Sequence, residues 1–274
     1  MCKVRNYLMA IATPLFMASC ATGPGTDDNG PAPSAPMQTM PAAAMAKSPQ
    51  PEALKAASVK KLCKVRKNVV EWVLISGGCK NGYAHGSGDA QSVDRKRRYT
   101  GNFVDGEFSG KGKYDWGNGV HYTGEYLAGE KHGSGILVYA DNSRYTGEFK
   151  ANVYHGYGTY TGKDNWRYVG QFRNGQYHGK GTYYWANGNH YAGEFMANVM
   201  AGQGTFIWAN GEKYTGKFVD NEMNDVGVYT WSNGERYQGE FRNNKMNGKG
   251  IYRNADGSIY TGEFRDGKRI KGEN

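Results

Sequence analysis

The sequence predicts an all-β protein, an elongated single-sheet antiparallel β-meander built from 23-residue hairpin repeats. Tyr99, Tyr122, Tyr145, Tyr168, Tyr191, Tyr214, Tyr237 and Tyr260 fall at an unbroken spacing of 23, each followed two residues on by Gly and four residues on by an aromatic. A fixed period of ~20 to 50 residues marks an architecture whose units bury their apolar faces only against their neighbours. Within each period, two short alternating runs are separated by turn residues. With 41 glycines and a mean hydropathy of −0.75, the chain lacks the composition of a thick core.

The first element of the unit is a strand. Tyr168, Gly170 and Phe172 stand two apart and share one face of an extended chain, with Val169 and Gln171 on the other. The second is a turn at Asn174 and Gly175, because Gly or Asn holds the latter position in every repeat and both tolerate a left-handed backbone. After His178 and Gly179 a second alternating run places Gly181, Tyr183 and Trp185 on one face, which reads as a second strand. It closes at Asn187-Gly188, matched by Asn118-Gly119, Asn210-Gly211, Asn233-Gly234 and Asp256-Gly257, the strongest short hairpin signals because both central residues of that turn are expected to take positive φ. Stability is expected from aromatic ladders on the first, fifth and second-strand positions, with rings lying flat over the glycines.

The run Tyr168-x-Gly170-x-Phe172-x-x-Gly175-x-x-His178-Gly179-x-Gly181 resembles the MORN (membrane occupation and recognition nexus) repeat. The resemblance covers residues 99 to 272, as eight tandem repeats of 99–274 with the last truncated. It implies a scaffold that acts at membranes without catalysing a reaction. Residues 58–98 read as a basic capping segment with a degenerate copy, in which Ile75, Gly77 and Cys79 hold the Tyr, Gly and Phe positions and one residue is inserted before Tyr99.

Residues 1–19 have the form of an export signal. Lys3 and Arg5 precede an apolar stretch, Tyr7 to Met17, that is shorter than the ~20 residues of a spanning helix. Met17-Ala18-Ser19-Cys20 looks like a bacterial lipobox, which makes Cys20 the lipidation site; an ordinary secretory signal cleaved near Ala18 or Ala21 is the alternative. Ala21 after Cys20 would imply, by resemblance to Gram-negative lipoproteins, the outer membrane, with the protein on its periplasmic or surface side. The Pro-, Ala- and Ser-rich segment 20–57 reads as a disordered tether. An oxidising compartment then pairs Cys63 with Cys79 as a disulfide. A metal at these two cysteines is the competing reading, with no second pair to complete four ligands.

The net charge of +9 is concentrated in the cap: residues 58–98 hold ten Lys and Arg against three Asp and Glu, and residues 99–274 hold 20 against 19. Lys60, Lys61, Lys64, Arg66 and Lys67 are candidates for contact with anionic lipid headgroups, or form a solvated loop. The export signal and the absence of a basic stripe along the repeats argue against nucleic acid. His85, His132, His155 and His178 share a register, but adjacent repeats hold equivalent side chains ~10 Å apart, too far for one metal ion. No metal or cofactor is expected, and no catalytic constellation or phosphate-binding loop recurs. Trp116, Tyr139, Trp185, Trp208 and Trp231 form a row before the Asn-Gly turns, able to stack on glycan rings or anchor a partner, or simply to finish the core. The reading is a non-catalytic scaffold of the cell envelope that binds another protein or envelope component, with anionic lipid or glycan as the alternative ligand.

Overall fold

The computed structural model of the protein describes residues 63–66 and 71–270. The expected signal, tether and Cys20, together with Lys60, Lys61 and Lys67, lie outside the described residues. Eighteen strands form one open antiparallel sheet in which successive strands pair. This is the meander that the period predicts.

The strands fall into two compact units, residues 43–176 and a second whose described part is 177–270. The first contains β1 (Trp72–Lys80), β2 (Tyr83–Ser92), β3 (Arg98–Val104), β4 (Glu107–Asp115), β5 (His121–Leu127), β6 (Glu130–Val138), β7 (Arg144–Lys150), β8 (Val153–Thr161) and β9 (Arg167–Arg173). β10 (Gln176–Tyr184) leads into the second, followed by β11 (His190–Met196), β12 (Val199–Ile207), β13 (Lys213–Val219), β14 (Glu222–Thr230), β15 (Arg236–Arg242), β16 (Lys245–Arg253), β17 (Ile259–Arg265) and β18 (Lys268–Arg269).

The core is one residue thick, and glycine makes it possible. Gly101 faces Gly112 and Gly124 faces Gly135 across the ladder in the first unit, as Gly193 faces Gly204 and Gly216 faces Gly227 in the second. A Cβ on Gly112 would lie 2.4 Å from the Tyr99 hydroxyl, so the ring lies directly on the glycine pair. Above the Tyr99 ring, Phe108 stacks at 3.7 Å and 9°, and Tyr154 covers Tyr145 at 3.8 Å and 16°. Met200, Met223 and Met246 take the same register in the second unit and are buried. Within each unit the ladder tyrosine is also met edge-on by the fifth-position ring of its own repeat and of the next, as where Tyr99 meets Phe103 at 5.1 Å and Tyr126 at 5.4 Å, and Tyr191 meets Phe195 at 5.1 Å and Phe218 at 4.9 Å. The Tyr191 hydroxyl donates to the carbonyl of Glu194 three residues on (3.0 Å). The register 108, 131, 154, 177, 200, 223, 246 thus roofs the ladder, a role the sequence does not announce because Phe, Lys, Tyr and Met alternate there.

The two turn classes exchange the roles expected of them. Positive φ at both central residues occurs at Asn174-Gly175, Asp220-Asn221 and Asn243-Asn244, and even at Ala128-Gly129. At Asn187-Gly188 and Asn210-Gly211 only the glycine is left-handed. Here the Gly188 N–H donates to the Trp185 carbonyl (3.1 Å) and Asn187 Oδ1 accepts from the Asn189 N–H (3.1 Å). The asparagine is spent on a side-chain turn, and glycine alone supplies the bulge that follows.

The capping copy departs from its expected register. Gly77 faces Gly88 and Cys79 faces Ala84, but the register shifts between Leu74 and Ser76, so Leu74 faces Ala90. Ile75 is bulged out and 60% exposed. It therefore does not hold the ladder position. Trp72 closes the ladder instead, meeting Phe108 at 5.4 Å and Tyr114 at 5.6 Å, while Ala84 and Ala90 of β2 are small and fully buried.

Residues 63–66 form a strap across two hairpin tips. Lys64 N–H donates to the Gly82 carbonyl (2.9 Å), and Arg66 N–H to that of Gly106 (2.7 Å). The Arg66 guanidinium lies 3.9 Å over the Tyr83 ring. Cys63 and Cys79 are joined, with Cα atoms 5.7 Å apart. The bridge ties this strap to the end of β1.

Candidate functional site

The tryptophan row is built by the loops that follow the second strands. In the second unit Trp185, Trp208 and Trp231 are half-buried. Trp185 tilts against Tyr183 (4.5 Å) on its own repeat and Phe206 (5.1 Å) on the next. Trp208 lies between Phe206 (4.5 Å) and Tyr229 (5.2 Å), and Trp231 between Tyr229 (4.6 Å) and Tyr252 (5.2 Å). A continuous run of rings from Tyr183 to Tyr252 results. Each indole is wedged on its flanks and keeps part of its surface in water. The expected core role and the expected contact role are thus both open to the same side chain.

In the first unit the row has different members. Trp116 tilts on Tyr114 at 4.2 Å, with the Lys131 ammonium 5.5 Å from its ring. The Tyr139 hydroxyl pairs with that of Tyr154. The next register position is Gly162, and Trp166 fills it from four residues downstream. Its indole stacks on Tyr160 at 5.2 Å and 15°, and a Cβ on Gly162 would lie 2.2 Å from it. Register alone misses Trp166; the glycine exactly one period after Tyr139 was the available signal.

The row carries carboxylates as well. Glu212 and Glu235 follow Trp208 and Trp231 by four residues and accept hydrogen bonds from Tyr229 (2.6 Å) and Tyr252 (2.8 Å). Burial and the Glu212 carboxylate together push the Tyr229 hydroxyl far above the usual phenol range. Glu212 is 6% exposed.

The basic candidates are separated by the strap. Arg66 is engaged by Tyr83, and Lys64 lies exposed at the hairpin tips. Of the histidine register, His85 faces Asp105 at 3.7 Å, while His132 and His155 stand opposite Glu125 and Glu148.

Eight consecutive segments, 99–121, 122–144, 145–167, 168–190, 191–213, 214–236, 237–259 and 260–269, match the family model of the MORN repeat. The chain belongs to the MORN-repeat family. Among curated proteins no similar sequence was found. MORN repeats suggest a repeat scaffold for membrane or protein binding, and MORN-repeat proteins are generally non-catalytic. In this MORN protein the repeat accounts for the buried tyrosines, the glycine pairs and the turns.

Proposed function

We propose that this MORN-repeat protein is a non-catalytic scaffold of the bacterial cell envelope, exported and lipid-anchored through Cys20 to the outer membrane, which binds a partner protein through the Trp185–Trp208–Trp231 row. The observation that carries the reading is the half-exposure of three indoles at successive repeats, each held rigid by rings on both sides. Rigid, partly exposed aromatics lose little side-chain entropy on binding and are the usual energetic centres of protein interfaces. The joined Cys63 and Cys79 support an oxidising compartment. Anionic lipid is the weaker reading, since Arg66 is committed to Tyr83.

Affinity capture of the full chain from its own envelope, compared with a Trp185→Ala/Trp208→Ala variant of unchanged secondary structure, tests the contact surface. Loss of the captured protein in the variant is expected, and its full retention overturns the assignment to the row. Cys20→Ser should release the protein from the membrane fraction; unchanged membrane association and mobility would rule out the lipid anchor.

A further inference from the structure

The row in the second unit has an electrostatic polarity that the ring packing does not require. Glu212 and Glu235 enter it at successive repeats, and among the described residues neither is paired with a Lys, Arg or His. For Glu212, 6% exposed, the Tyr229 hydroxyl is the one side-chain donor among the described residues. A nearly buried carboxylate answered only by a phenol is costly unless a cation completes it. The ring run therefore carries negative charge, and the indole faces add their own attraction for cations.

The molecule itself shows a cation seated on this surface. One repeat beyond Trp231 the register holds Asn254, and there the Arg269 guanidinium lies 4.7 Å from the Tyr252 ring and 4.9 Å from Tyr260, donating to Asn254 Oδ1 at 2.9 Å. In the first unit, Lys131 lies over Trp116 in the same way. At position 254, where the register holds Asn in place of Trp, an arginine of the chain covers the rings.

The spacing selects the ligand's shape. Two strands per repeat set successive Trp and Glu positions ~10 Å apart. A polyproline II chain advances ~3.1 Å per residue with three residues per turn, so every third side chain returns to the same face after ~9 Å. In a β-strand, residues three apart point to opposite faces, and the match is lost.

Resting on the reading of the row as the contact surface, we propose that Trp185, Trp208 and Trp231 with Glu212 and Glu235 receive an extended basic segment of the partner protein. That segment runs across the strands in polyproline II form, with Arg or Lys at every third residue. Each cation lies against an indole and is completed by the neighbouring carboxylate.

The test uses the full chain and three fluorescent nonapeptides: three Arg-Pro-Pro units, the same composition with the arginines contiguous, and three Glu-Pro-Pro units. Anisotropy should show the regularly spaced Arg peptide binding at least fivefold more tightly than the contiguous one, with no binding of the Glu peptide. Glu212→Gln/Glu235→Gln, which keeps the acceptors for Tyr229 and Tyr252, should weaken the spaced peptide about tenfold; Glu235→Gln alone, at the more accessible carboxylate, should weaken it several-fold and guards against misfolding of the double variant. Equal binding of the two Arg peptides, binding of the Glu peptide, or unchanged affinity in both glutamine variants overturns the proposal. Envelope capture separates the two readings. A partner lost with Trp185→Ala/Trp208→Ala but kept by Glu212→Gln/Glu235→Gln leaves the row as the contact surface and overturns the basic segment. A partner kept by all variants overturns the contact surface itself.

Discussion

At the fifth position of the repeat seven side chains are Phe and one, Tyr126, is Tyr. Its hydroxyl is buried and has no hydrogen-bond partner among the described residues, and rings pack it edge-on: Tyr99 at 5.4 Å and Tyr122 at 5.2 Å. Removing an orphaned polar group from such a site is favourable, so Tyr126→Phe should raise stability by about 1 kcal/mol in denaturant unfolding; a loss of stability would show that the hydroxyl has a partner in solution. Asp225, which stands where the repeat has glycine, is explained by an exchange of charge. In the ordinary case Glu148 Oε1 accepts from the Tyr157 N–H (2.9 Å), and its carboxylate lies over Gly156, where a Cβ would come within 2.3 Å. At the variant bulge, Lys217 replaces that glutamate, and Asp225 both accepts from the Val226 N–H (2.9 Å) and binds Lys217 (2.9 Å). Lys217 holds the Asp225 carboxyl below its ordinary value, so the pair contributes above pH ~4 and is lost as pH falls through the lowered pKa. Lys217→Glu alone should destabilise, and Lys217→Glu/Asp225→Gly should restore the loss. A double variant no more stable than the single one would disprove the exchange.

Turns that look interchangeable in sequence differ as elements. Gly129 and Gly267 donate their N–H groups to the carbonyls of Phe108 and Met246 one repeat earlier (2.9 and 3.0 Å). Asn221 does this towards Met200 (3.1 Å), and its Oδ1 also accepts from the Met200 N–H (2.9 Å), so the side chain imitates a peptide and adds a rung between repeats. Asn152, Asn198 and Asn244 repeat the arrangement on Lys131, Tyr177 and Met223. Asn221→Gly should therefore cost about 1–2 kcal/mol, since it leaves a buried N–H without its acceptor. Gly267→Asn, at a left-handed φ of 79° with open space for a Cβ, should instead gain stability in thermal unfolding. Equal effects of opposite design would show that backbone preference alone acts there. The sequence made Asn and Gly equivalent because both tolerate positive φ. What separates them is the distance from Oδ1 to an N–H some 20 residues away, which no local pattern expresses. The Asn-Gly turns misled for the same reason: composition reports tolerance, and hydrogen bonding chooses the conformation.

For the whole molecule, a ladder of neighbour contacts makes stability both distributed and local. Burial pushes the Tyr237 hydroxyl up to about 12 and those of Tyr99, Tyr122, Tyr145, Tyr191 and Tyr214 higher still. Groups with raised folded pKa values contribute fully below the unfolded value of ~10 and lose that contribution as pH rises through the folded one. Alkaline titration at 295 nm should show these six tyrosines ionising only at about pH 12 or above, together with loss of β-sheet circular dichroism; their ionisation near pH 10 with the sheet intact would contradict the burial. The strap should act only at its own end. Cys63→Ser/Cys79→Ser should cost ~2–4 kcal/mol locally, read as faster hydrogen exchange at Lys64, Ala84 and Gly106, with 177–270 unaffected. Uniform loss of protection through both units would show the chain to be one cooperative body rather than a stack.

The sequence by itself determined the period, the strand pair in each unit, the tyrosine ladder over paired glycines and the family, because these depend on residues a few positions apart and recur eight times. The tertiary structure alone decided that Trp72 rather than Ile75 closes the ladder, that Trp166 fills the register of Gly162, and that the disulfide holds a strap across two hairpin tips. It also decided that carboxylates lie in the tryptophan row. Each of these is a single event between residues of different strands, where shape and an unfilled space choose the partner, and a repeat can signal only what it repeats.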